Sequence, residues 1–119
     1  MGSWVSRVQR EGLPPAISFT TYGGGVAIST SEDPLLGPAH GSWALAGERA
    51  YDTTLERILR GEEGAVSGTR RVRLRITVDA SLDSYLAEGL REDLDFAGNV
   101  VDSGRLLSRA TRISVQPVA

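Results

Sequence analysis

Three side chains in this sequence are the best placed to carry out acid–base chemistry. His40 is the single histidine, and it is the only side chain here that titrates near neutrality without help from its surroundings. Glu56 and Asp93 lie within otherwise apolar stretches, where an inward carboxyl group would be held in its protonated form and become able to transfer a proton. We therefore take His40, Glu56 and Asp93 as the candidate catalytic residues.

Each of these three residues also has a structural interpretation. His40 fits a hydrogen-bonded histidine at the rim of the fold, because its possible partners Glu32, Asp33 and Tyr51 are not at a spacing that indicates a catalytic pair. Glu56 and Asp93 would be solvated if they point outward. The sequence leaves both interpretations open.

Five aromatic residues form a second set of candidates. Rings with a polar edge can line a cavity and orient a guest. The alternative is ordinary packing or exposure at a rim. The candidate ligand-binding residues are Phe19, Tyr22, Trp43, Tyr51 and Tyr85.

Three arginines alternate along the clearest predicted strand, residues 71–79. Arg71, Arg73 and Arg75 share one face, and the apolar side chains between them share the other. Guanidinium groups bind carboxylates in a bidentate manner, so the stripe is one candidate anion site. The alternative is a wet outer face that pairs with nearby carboxylates and blocks edge pairing.

Composition excludes several classes of function. The 119 residues are typical of one domain, 1–119. With a net charge of −2, the protein has no excess of positive charge to attract a polyanion, so we expect no nucleic-acid partner. With no cysteine and one histidine, we expect no metal site, no disulfide and no cofactor. The longest uncharged run, residues 13–31, is rich in proline, glycine, serine and threonine. We therefore expect no membrane span, and a cytoplasmic location.

Fourteen glycines and five prolines divide the chain into short pieces, which favours many strands joined by turns. Two segments, 53–60 and 82–96, have apolar residues that fit either a helix or a strand. If both are helices, the fold is an α+β cone. The strands predicted from alternation are 2–9, 16–22, 26–30, 40–46, 71–79 and 112–118, with a loop over 32–39.

A Gly-x-Trp motif opens the first predicted strand at Gly2 and Trp4, and Gly41-Ser42-Trp43 echoes it. Together with Arg112 near the other end of the chain, the first copy resembles the signature of the lipocalins and wider calycins. The resemblance implies that Trp4 caps one end of an antiparallel barrel and that Arg112 lies across the indole. Arg109 is the alternative partner.

Further short motifs, which follow one another along the chain, cover nearly its full length. They are Phe19-Thr20, Gly23-Gly24-Gly25, His40-Gly41-Ser42-Trp43, Asp95-Phe96-Ala97-Gly98-Asn99-Val100 and Ala110-Thr111-Arg112-Ile113. This pattern is similar to that of small bacterial lipocalin-like proteins. It implies an all-β, up-and-down barrel of eight or nine strands, with both ambiguous segments as strands. The chain is shorter than the lipocalins, and it lacks their disulfide and an obvious helix beside the barrel.

Three functional hypotheses follow. The first is a protein that binds a small apolar or aromatic metabolite inside the barrel. The second is a cofactor-free cyclase, isomerase or dehydratase acting on a natural product, with His40 or an inward carboxylate as the acid or base. The third is an interaction module that forms a homodimer through apolar residues on the outer face.

Overall fold

The computed structural model describes residues 2–118, and eight β-strands make up most of that range. Each strand pairs antiparallel with the next, and the last pairs with the first, which closes the sheet into a barrel. The strands are β1 (Gly2–Arg10), β2 (Leu13–Gly23), β3 (Val26–Ser31), β4 (Leu36–Gly47), β5 (Ala50–Arg60), β6 (Val66–Val78), β7 (Ser84–Leu94) and β8 (Val100–Arg112).

This closed, all-antiparallel, up-and-down barrel confirms the predicted fold class and excludes the α+β cone. The two ambiguous segments lie in β5 and β7. Each of those strands is paired on both sides along most of its length, and these ladders outweigh a weak local preference for helix. No helix within residues 2–118 is long and apolar enough to cross a membrane.

The prediction of a final strand over residues 112–118 is wrong. The structure instead has a strand over Val100–Arg112, and residues 113–118 are irregular. The reason lies in the partner strand: β8 runs antiparallel to β1, and Trp4 is already opposite Arg112. The amide of Ile113 still donates to the carbonyl of Ser3, but beyond that point little of β1 remains to pair with. The predicted loop over 32–39 is also too long, because β4 begins at Leu36.

The barrel has two ends that differ in their turns and in their side chains. We call one the indole end; it holds the start of β1, the end of β8 and the connections at 24–25, 48–49 and 79–83. We call the other the arginine end, and it holds the connections at 11–12, 32–35, 61–65 and 95–99. Alternate residues of every strand point into the space between these ends.

The outer wall carries the arginine stripe predicted on β6. Arg71 pairs with Glu56 across to β5 at 3.0 Å, and Arg73 pairs with Glu92 on β7 at 2.6 Å. Arg75 forms a bidentate pair with Asp52. The stripe is therefore a wet face satisfied by cross-strand carboxylates, as the second of the two interpretations proposed.

Two glycines explain the repeated Gly-x-Trp motif. Gly2 has a φ of 104°, and a Cβ built on it would collide with the guanidinium of Arg112. A Cβ at Gly41 would collide with the backbone carbonyl of Thr54 on the neighbouring strand. Both positions therefore need glycine for a close approach, although the group that approaches differs between them.

Candidate functional site

Aromatic rings fill the indole end. The side chain of Trp4 is fully buried, and its ring centroid lies 4.9 Å from that of Tyr85. Trp43 packs edge-on against Tyr51 at 5.2 Å and against Tyr22 at 6.4 Å. These five rings form a plug that keeps water out of the interior from this side.

The plug is covered by Arg112, which is the residue that the Trp4 motif predicted as its partner. The guanidinium carbon of Arg112 lies 4.4 Å from the centroid of the Trp4 ring. Its Nε donates to the carbonyl of Leu82 at 2.8 Å, which holds the guanidinium in place. A cation over an indole face in this geometry contributes about 0.5–2 kcal/mol.

An internal cavity of about 70 Å³ lies between the aromatic plug and the arginine end. This volume accommodates about five to seven water-sized atoms, because one such atom requires about 10–15 Å³. Side chains therefore fill most of the barrel, but not all of it. The aliphatic part of the wall consists of Val8, Ala16, Leu36, Leu55, Val72, Leu74 and Leu106.

Hydroxyl groups form another part of the wall, mainly from β1, β2, β3 and β8. They come from Ser6, Ser18, Thr20, Ser29, Ser31 and Ser108, together with the phenols of Tyr22 and Tyr85. Thr20 and Ser29 are hydrogen bonded at 2.9 Å, and Ser6 and Tyr85 at 3.1 Å. The hydroxyl groups can therefore exchange hydrogen bonds with a guest, whereas β5 and β6 present the aliphatic side chains of Leu55 and Val72 beside the guanidinium groups of Arg57 and Arg70.

Burial determines how the two phenols behave. It raises the pKa of Tyr22 far above its ordinary value, and the neighbouring Tyr85 adds to the shift. Burial likewise raises the pKa of Tyr85, although hydrogen bonds with Ser6 and Tyr22 partly oppose it. Both phenols therefore stay protonated at neutral pH, so neither serves as a base there.

Inward-pointing charges occupy the arginine end. Arg10 pairs with Asp33 at 3.0 Å. Asp93 receives a bidentate pair of hydrogen bonds from Arg70, at 2.6 and 2.9 Å, and a further one from Arg91 at 3.2 Å.

Arg91 is bound on several sides at once. Its Nη1 also donates to Asp102 at 3.0 Å, and its Nη2 donates to the carbonyl of Glu11 at 3.3 Å. Gly104 leaves the room for this, because a Cβ there would press against both the Glu11 carbonyl and the Arg91 guanidinium. The glycine thus permits a buried arginine to cross from β7 towards the β1–β2 turn.

Arg57 is the exception in this cluster. It lies on β5 between Leu55 and Leu59, is only 9% exposed, and lines the cavity. Its Nε and Nη1 are buried and have no hydrogen-bond partner among residues 2–118. Burial lowers the pKa of Arg57 to about 10, and the positive charges of Arg70 and Arg10 add to that effect. The negative charge of Asp33 partly opposes this lowering of the pKa, and Arg57 still carries its charge at neutral pH. No carboxylate among residues 2–118 forms an ion pair with its buried Nε or Nη1.

The three predicted acid–base residues are not brought together. His40 and Glu56 lie opposite each other on β4 and β5, but both are exposed on the outer wall. Asp93 points into the barrel, where Arg70 and Arg91 occupy its oxygens. His40 and Glu56 therefore cannot reach a guest in the cavity, because successive strand residues face opposite sides of the sheet.

The five aromatic candidates are divided by the fold. Tyr22 and Tyr85 line the cavity. Trp43 and Tyr51 belong to the plug beneath it. Phe19 is 53% exposed and lies on the outer wall, opposite Thr30 and Val5 in the sheet register.

The sequence analysis missed the inward arginines at positions 10, 57, 70 and 91. The available signal was the alternation of side chains along each strand, because residues two positions apart point to the same face. Arg70 lies two residues before Val72, on the inward face of β6, and Arg57 lies two residues after Leu55 on β5. The arginines at 71, 73 and 75, which were predicted as a stripe, lie on the other face of β6, which is solvated.

No group of three or more potential metal ligands occurs among residues 2–118. Comparison with family models, with curated proteins and with solved structures finds no match to this chain. The description of the site therefore depends on its own geometry: an aromatic plug, a cavity lined by hydroxyl and aliphatic groups, and a cluster of buried arginines.

Proposed function

We propose that this protein is a lipocalin-like barrel that binds a small apolar or aromatic metabolite in its interior. The observation that carries the proposal is the cavity of about 70 Å³ enclosed by the sheet above the aromatic plug. Aliphatic side chains in its wall favour the transfer of an apolar guest out of water. The hydroxyl groups in the same wall can orient a polar edge of that guest.

The size of the cavity limits the guest. Many ligand pockets measure roughly 300–1,000 Å³, and this one is far smaller. A guest of about five to seven non-hydrogen atoms fits the observed space, whereas a fused ring system requires the walls to move. The protein therefore selects small guests.

Binding is favoured over catalysis by the placement of the candidate acid–base groups. His40 and Glu56 face solvent, and Asp93 is held by two guanidinium groups. Tyr22 and Tyr85 reach the cavity as neutral donors. The hydroxyl wall therefore supplies hydrogen bonds to a guest rather than a base.

The test is an NMR titration of the full chain with phenol, followed by the larger indole. We expect saturable shifts at the methyl groups of Leu55, Val72 and Leu106, with phenol bound more tightly than indole. A Ser18→Phe variant, which fills the cavity, should abolish these shifts. Its matched control is Thr30→Phe, which adds the same ring on the exposed face of β3.

Two results would overturn the proposal. One is an absence of saturable shifts in the cavity methyl groups for either probe. The other is binding that survives Ser18→Phe in a variant whose spectrum shows an intact fold, since the probe would then be held outside the barrel.

A further inference from the structure

The buried arginines at the arginine end are not fully compensated. Four arginines point inward there, at positions 10, 57, 70 and 91, and three carboxylates accept their hydrogen bonds, from Asp33, Asp93 and Asp102. The three arginines other than Arg57 each bind at least one of these carboxylates. One positive charge is therefore left over, and it belongs to Arg57.

The position of that charge distinguishes it from an ordinary surface arginine. Arg57 is 9% exposed, so water reaches little of its side chain. Two of its nitrogens are buried without a partner, and the residue lines the cavity together with Leu55 and Val72. A buried guanidinium without an acceptor is costly, so its presence calls for an acceptor that arrives with a ligand.

We propose that the guest of this cavity is a small carboxylic acid bound as its anion, with the carboxylate on Arg57 and the apolar part against the aliphatic wall. This inference rests on the proposed function, since it names the class of molecule that the cavity takes. A carboxylate matches the planar fork of a guanidinium. Its single negative charge balances the one positive charge left over in the cluster.

The neighbouring arginines are not equivalent alternatives. Asp93 engages two nitrogens of Arg70, and Asp33 engages Arg10. Recruiting either arginine requires breaking a pair that already exists. Arg57 gains an acceptor without losing one, so the net change in hydrogen bonding favours that position.

The experiment compares isosteric probes that differ only in charge. Butyrate is paired with butyramide, and the smaller propionate with propionamide, because these probes match a cavity of about 70 Å³. Dissociation constants are measured by NMR titration for the wild type, for Arg57→Met, and for the outer-wall control Arg73→Met. We expect each anion to bind the wild type at least about tenfold more tightly than its amide, as a charge-assisted, bidentate contact requires. Arg57→Met should remove that preference while amide binding persists, and Arg73→Met should retain it.

The possible failures separate the two proposals. If amides and anions bind the wild type equally, the charge inference is overturned and the binding function stands. If neither class binds, both are overturned. If the preference for anions survives Arg57→Met, the assignment to Arg57 is overturned. Inorganic phosphate forms a further arm: if it competes with butyrate as strongly as propionate does, the site takes simple anions and not apolar carboxylates.

Discussion

The two ends of the barrel bury large side chains by opposite means. At the indole end, five aromatic rings pack on one another, and the one guanidinium nearby lies over an indole face. At the arginine end, buried guanidinium groups are held by carboxylates, and Arg57 has none. The first arrangement stabilises the folded chain, although the indole nitrogens of Trp4 and Trp43 are buried there without a hydrogen-bond partner among the described residues. The second leaves the charge of Arg57 without a hydrogen-bonded carboxylate, and we propose that a ligand supplies one, as expected when a binding site trades stability for function.

The largest effect is expected at the indole end, from Trp4→Ala. The side chain is fully buried in the plug, and truncation of such a residue costs about 3–5 kcal/mol. Urea denaturation followed by circular dichroism measures the loss in the free energy of unfolding. Trp4→Phe should lose less, because it keeps a ring against Tyr85. A loss well below that of a core truncation would show that the plug is not a main source of stability.

A comparable effect is expected at the arginine end, from Asp93→Asn. The substitution leaves Arg70 and Arg91 buried without their shared carboxylate, and breaking a buried ion pair costs about 3–5 kcal/mol. The same denaturation experiment measures it. The matched control is Asp52→Asn on the outer wall, where the pair with Arg75 is exposed and little change is expected. Equal losses in the two variants would remove the distinction between inner and outer ion pairs.

A smaller effect of opposite sign is expected from Arg57→Met in the absence of ligand. Removing a buried charge that lacks a partner should stabilise the chain by about 1–3 kcal/mol. Arg57→Lys keeps the charge and should not produce this gain. If Arg57→Met instead destabilises the protein as Asp93→Asn does, then Arg57 is a structural residue and the contrast between the two ends fails.

The smallest effect on stability is expected from the protonation of Asp33 in acid. Burial by itself raises the pKa of Asp33. The hydrogen bond from the backbone amide of Leu35 and the guanidinium of Arg10 together lower the pKa by more than burial raises it, so the pKa lies below its ordinary value. The unfolded chain therefore binds a proton first as pH falls. Asp33 contributes stability above a pH of about 3.9, and this contribution is lost as pH falls through its lower folded pKa.

Unfolding free energies measured between neutral pH and strong acid test this expectation. The Asp33→Asn variant should be less stable than the wild type at neutral pH, and the difference should shrink as the pH falls. A difference that stays constant over the whole range would show that the carboxylate does not owe its effect to ionisation.

Much of the fold could be predicted from alternation and short motifs. The inward series at Val72, Leu74, Ile76 and Val78 follows directly from a period of two. The pairing of Trp4 with Arg112 came from a resemblance, and the collision that any Cβ at Gly2 would cause gives it a physical reason. The end of β8 could not be predicted in this way, because it depends on where its partner strand begins.

The candidate site was harder to predict, because a charged side chain usually indicates a solvated face. On β7 the rule is reversed: Leu86 and Leu90 point outward, whereas Arg91 and Asp93 point inward. The inward charges are tolerated because most of them meet a partner from another strand. Such pairings are invisible along a single segment, and the residue that lacks a partner can be recognised only once the others are placed.

A resemblance implied the buried indole near the start of the chain, and the sequence alone was sufficient to determine a sheet of short strands and the absence of cysteine chemistry. These properties depend on side-chain period, on glycine at particular positions and on residue counts, all of which are local. The tertiary structure decided which arginines are inside, which carboxylates neutralise them and that Arg57 is left over. Those outcomes depend on strand register and on barrel closure, which bring residues 80 or more positions apart into contact, as with Glu11 and Arg91.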